Sequence, residues 1–127
     1  MHKYVYLTLR LIIAIILIQT LRYKFSGHAD SIFIFTEVGL EPYGRIGIGI
    51  IELIAAILIL VPKTIWLGSG LTIGVLSGAI FFHLTKIGIE VNGDGGVLFY
   101  MGLATFLLSC IVLWYDRKSI PIIGDSL

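Results

Sequence analysis

Three residues in otherwise apolar surroundings could carry chemistry. Glu52 is the one carboxylate in IIELIAAILIL, residues 50–60, His83 closes AIFFH, residues 79–83, and Arg10 opens RLIIAIILI, residues 10–18. A glutamate and an imidazole in a partly dry site perturb each other's proton affinity and can pass a proton to or from a bound molecule. A guanidinium nearby stabilises negative charge that develops during such a transfer. Gln19, Tyr100, Lys24 and His28 are further candidates for contacts to a ligand. Each has a plainer role available. Lys24 reads as an interfacial anchor, Tyr100 as an interfacial aromatic, His28 as a solvated loop histidine and His83 as a histidine satisfied by its own helix. Arg10 can extend its charge towards the near membrane face, or bend back towards Glu52.

The elements that position these residues are long apolar runs. Of 127 residues, 57% are hydrophobic and 13% charged, about half the charged fraction of a soluble domain. A net charge of +1 offers nothing to nucleic acid. Cys110 stands alone, so neither an intrachain disulfide nor a dithiol redox pair is available. Apolar runs that approach 20 residues read as membrane-spanning helices. Here they cover about residues 4–21, 46–61, 65–87 and 97–115, with Pro62-Lys63 and Asp116-Arg117-Lys118 as stops. In lipid the backbone must satisfy itself, so these are helices. The expected fold is all-α, a four-transmembrane-helix antiparallel bundle forming a single domain over residues 1–127. The first apolar run is long enough to span and no small-residue cleavage site follows it, so it is expected to stay in the mature chain.

The connection KFSGHADSIFIFTEVGLEPYGR, residues 24–45, is long for a helix–helix loop. Exposing Ile32, Phe33, Ile34 and Phe35 to water would be costly, so a short interfacial helix is expected there, capped by Asp30 or Ser26 and ended near Gly39. At 1.5 Å per residue, Glu52 lies ~9 Å and His83 ~5 Å below the membrane edge on that side, with Gln19 and Tyr100 at ~3–5 Å. Side chains tilt towards helix N-termini, which brings Glu52 and His83 together in depth from opposite directions. Gly70, Gly74 and Gly78 form a tandem GxxxG. That pattern lets a helix approach closely, here expected inside the bundle, with a homodimer contact as the alternative.

His2, His28 and His83 are too dispersed to propose a metal site, and no nucleophile elbow or phosphate loop is present. The lysines and arginines divide evenly between the two faces, so the positive-inside count does not orient the chain. Both termini are expected on one face, taken as cytoplasmic.

Several segments together resemble the DoxX-like family of small membrane proteins: RLIIAIILIQTLRYKF (residues 10–25), GIIELIAAILIL (from Gly49), AIFFH (residues 79–83) and the loop KFSGHADSIFIFTEVGLEP. The chain departs from that pattern at Ala14 and Gln19, where small glycine-like residues are expected. The resemblance implies a four-helix membrane bundle, with Arg10, Glu52 and His83 as the family-like polar residues. It also implies kinship with bacterial plasma-membrane oxidoreductase subunits, including those linked to quinones.

Three classes of function follow. A redox subunit would bind a quinone-like or other lipophilic molecule under the loop, with Glu52 and His83 handling protons and a membrane or soluble oxidoreductase partner supplying electrons. An acid–base enzyme of the isomerase type would use the same residues on a lipophilic substrate. In an assembly or structural subunit the polar groups would pair internally.

Overall fold

A computed structural model describes residues 2–91 and 93–127. Helix α1 spans Lys3–Ser26, α2 Ala29–Glu37, α3 Tyr43–Leu60, α4 Ile65–Phe82 and α5 Val97–Asp116, and no strand occurs among the described residues. Four segments are long and apolar enough to cross a membrane: Lys3–Ser26, Tyr43–Leu60, Pro62–Ile87 and Val97–Ser119. Their outward faces carry exposed apolar side chains such as Ile15, Ile57, Phe81 and Leu107. In water such faces would be untenable over this area, and in a bilayer they are solvated by lipid tails. The protein is an integral membrane protein built as an all-α bundle.

The loop helix is present, but its cap is neither Asp30 nor Ser26. His28 Nδ1 accepts a hydrogen bond from the Asp30 backbone N–H at 3.1 Å and starts α2. Helix α1 also runs about a turn further than the apolar pattern, ending only where Gly27 takes the left-handed conformation at φ 70°. Lys24 is therefore a residue of α1, four positions after Thr20 and on its face.

The half of the bundle nearer the termini is solid. Ile13, Ala14 and Leu17 of α1 meet Ala55, Ala56 and Ile59 of α3, with Ile65 and Val112 completing the cluster. Here α3 and α4 touch through backbone. A Cβ on Gly68 would stand 2.5 Å from the Ile59 nitrogen and 2.9 Å from the Ala55 oxygen. Gly70, Gly74 and Gly78 do not make the expected interior contact, since a Cβ on any of them meets nothing within 4 Å. Two residues turn a helix by about 200°, so the Gly70 stripe faces almost opposite to the Gly68 contact.

Arg10 belongs to this solid half. Its Nε and Nη2 donate at 2.8 Å to the carbonyls of Ile59 and Leu60, and its guanidinium lies 5.3 Å from the centre of the Tyr6 ring. The positive charge thus closes the C-terminal end of α3, where free carbonyls and the negative end of the helix dipole attract it. It neither bends back to Glu52 nor contributes to a shared polar site.

Candidate ligand-binding site

The other half of the bundle, under α2, is hollow. A cavity of about 640 Å³ lies there with walls from all five helices, within the size range of small-molecule sites. Most of its surface is apolar: Ile16 and Leu17 from α1, Phe35 from α2, Ile48 from α3, Leu76 from α4, and Leu98 and Met101 from α5. Gly74, Gly78 and Gly102 also line it, and with no side chains there the α4 and α5 walls stay thin.

On the α1–α3 wall sits Glu52, 5% exposed. Its partner is Lys24, whose Nζ is 3.3 Å from Oε1. The Thr20 hydroxyl lies 3.1 Å from Oε2 and 2.8 Å from the Leu17 carbonyl, so its single proton is shared or alternates between them. Two features let α1 and α3 approach closely enough for this. Gly49 lies one turn before Glu52, and a Cβ there would stand 2.7 Å from the Phe25 ring. Arg45 donates through Nη1 to the Lys24 carbonyl while its Nε bonds both oxygens of Glu41 at 2.9 and 3.0 Å. Arg45 therefore fixes the backbone that carries Lys24.

On the α4–α5 wall sits His83, 8% exposed. It begins a π-helical turn, His83–Ile87, in which the Gly88 N–H donates to the His83 carbonyl at 2.8 Å. The His83 ring returns the contact, with Nδ1 2.8 Å from the Gly88 carbonyl. A carbonyl only accepts, so Nδ1 carries a proton. The ring packs against Phe99 with centroids 5.5 Å apart. Asp94, on the same wall, accepts from the backbone N–H groups of Val91, Gly96 and Leu98 at 2.7–3.2 Å. Those hydrogen bonds, chiefly that from Val91, outweigh desolvation and hold its carboxyl below the usual 3.8, with a smaller contribution from His83.

Gln19, Lys24, His28, Glu52 and His83 all line this cavity, while Arg10 and Tyr100 do not. Tyr100 is 56% exposed and packs edge-on against Phe99. Its position near the start of α5 suggested depth without fixing direction, and the helix turns it outward. His28 sits at the mouth, edge-on to Tyr23 at 4.8 Å. No hydrogen bond or ion pair joins Glu52 to His83 among the described residues: Glu52 is committed to Lys24 and Thr20, and His83 to Gly88. Convergence in depth therefore did not make a proton-sharing pair.

Three contributors were missed. Thr20 was hidden because a hydroxyl inside an apolar run reads as neutral filler, although its spacing of four from Lys24 is a helical signal. Asp94, between α4 and α5, carried a signal of its own, since an aspartate just before an apolar run marks a helix start. Arg45 appeared only as a loop charge.

The arrangement can hold an apolar body and offer it hydrogen-bonding groups from two walls. Comparison of the chain with protein-family models, with curated proteins and with solved structures finds no match.

Proposed function

We propose that this protein binds a quinone-like lipophilic molecule in the cavity under α2 and serves as a DoxX-like subunit of a membrane oxidoreductase. The observation that carries the reading is the hollow half of the bundle, where Lys24–Glu52 and His83 line one apolar cavity. The ligand's ring would lie between these groups, with its tail against the glycine-thinned walls of α4 and α5. His83 exchanges protons with the ring oxygens, Lys24 stabilises negative charge on them, and Glu52 holds Lys24 in place. The chain carries no dithiol, so an oxidoreductase partner supplies the electrons. The setting is the bacterial plasma membrane with both termini cytoplasmic. Gly70, the one of these three α4 glycines that does not line the cavity, leaves an open face for self-association as a homodimer.

The test is equilibrium dialysis of a short-tailed ubiquinone against the protein in lipid nanodiscs. Saturable binding is expected, weakened about tenfold or more in Lys24→Met, which removes a charge-assisted hydrogen bond. Absence of saturable binding refutes the reading. One observation favours a second reading, an assembly role: both Glu52 oxygens already have partners within the chain. In that case Glu52→Gln would impair folding or partner recovery and no lipophile would bind.

A further inference from the structure

The two polar walls of the cavity are not equivalent, and their difference selects the chemical form of a ligand. On one wall the Lys24 ammonium can only donate hydrogen bonds. Glu52 beside it is engaged by Lys24 through Oε1 and by Thr20 through Oε2, each oxygen keeping a further lone pair. On the other wall the His83 ring is held from both sides of the π turn: Gly88 N–H to the His83 carbonyl, and His83 Nδ1–H to the Gly88 carbonyl, each at 2.8 Å. With the proton on Nδ1, the neutral ring presents a lone pair at Nε2, which makes no hydrogen bond among the described residues. Asp94 is turned to the backbone, accepting from Val91 and Gly96 on Oδ1 and from Leu98 on Oδ2.

We propose that the cavity binds the hydroxyl-bearing, quinol- or phenol-type form of its lipophile in preference to the quinone form. The ligand hydroxyl donates to His83 Nε2, and Lys24 donates to an oxygen across the head. A quinone carbonyl at the first position would set its lone pairs against the lone pair of Nε2, and a hydroxyl turns the same contact into a hydrogen bond. This inference rests on the preceding reading that a lipophile occupies the cavity, and it adds which redox form is held.

The experiment compares decylubiquinol with decylubiquinone under anaerobic conditions, by equilibrium dialysis against the protein in nanodiscs. It is run at about pH 8, where an ordinary imidazole is neutral. One hydrogen bond to a buried acceptor corresponds to about tenfold in affinity, so the quinol is expected to bind about tenfold more tightly. In His83→Phe the quinol should lose about tenfold in affinity, and with it its advantage over the quinone. The dimethyl ether of the quinol, tested on the unaltered protein, keeps the shape and loses the donor. It is expected to bind about as weakly as the quinone, which gives a result even if His83→Phe does not fold. Equal or tighter binding of the quinone, or of the ether relative to the quinol, overturns the proposal and leaves the lipophile site standing. Failure of both redox forms to bind overturns the site and this inference with it.

Discussion

The Lys24–Glu52 pair gives the most direct test of the structure, because charge and burial fix what each substitution leaves behind. The two charges are 3.3 Å apart, with side chains 16% and 6% exposed. At an effective dielectric of about 20, their direct attraction is about 5 kcal/mol, before the cost of withdrawing both from water. Glu52→Gln keeps the shape and an acceptor for Thr20 but leaves the ammonium without its counter-charge. Lys24→Met does the reverse and leaves a deeper carboxylate supported by Thr20 alone. Removing one member of a buried pair costs about 3–5 kcal/mol, and the partly open cavity places each single variant near the lower end, about 3 kcal/mol. The double variant strands neither charge and should cost only about 1 kcal/mol. The coupling is then about 5 kcal/mol, far outside the roughly 0.5 kcal/mol tolerance for independent sites. Reversible unfolding in mixed micelles at increasing SDS fraction, followed by circular dichroism, measures all four proteins. If the single losses simply add in the double variant, the two groups are not paired in the folded protein, and the account of the α1–α3 wall is wrong.

Arg10→Met should lower stability by about 2 kcal/mol, since it strips a charged donor from the last carbonyls of α3. It should leave binding in the cavity unchanged, which dialysis on the same preparation checks. Gly68→Ala should cost about 2–3 kcal/mol through its collision with the backbone of α3. Gly70→Ala, which meets open space, should be neutral or stabilising by up to about 1 kcal/mol in a monomer; a drop in mass on size exclusion would instead mark that face as a dimer contact. Asp94, with its folded-state carboxyl held below 3.8, stabilises the fold above the ordinary carboxylate range and loses that contribution as pH falls through its depressed value. The difference in melting temperature between wild type and Asp94→Ala should hold above about pH 5 and shrink below about pH 4. A gap that widened on acidification would contradict the capping geometry.

The spans were legible because lipid imposes a single rule, long apolar stretches with satisfied backbone, and IIELIAAILIL or VLFYMGLATFLLSCIVLWY obeys it in one dimension. The loop helix was legible for a related reason, the cost of exposing Ile32 to Phe35. Partner choice was not legible, because it depends on rotation about each helix and on where the helix stops. Reading α1 as ended at Leu21 made Lys24 an anchor outside the bundle. The backbone continues to Gly27, and the same lysine becomes the counter-charge of Glu52. Arg10 went to a site that a search for side-chain partners overlooks, the carbonyl end of a neighbouring helix. The α4 glycines repeated every four residues as a packing motif should, but periodicity locates a face without saying what lies opposite it.

These placements divide the bundle into two halves of different packing. Around Ile13, Ala56, Ile59 and Val112 the helices meet through small residues and are tied by Arg10, so rigidity is concentrated near the termini. Under α2 the same helices diverge around a cavity whose charges are paired along its walls, Lys24 with Glu52 and Asp94 with backbone N–H groups. An apolar cavity of about 640 Å³ that stays empty forfeits packing contacts along its walls. Lipid tails or a ligand can fill this one at no such cost. Glu52, at the junction of the two halves, fixes the position of Lys24, and His83 stands on the opposite wall with its ring oriented by the Gly88 carbonyl.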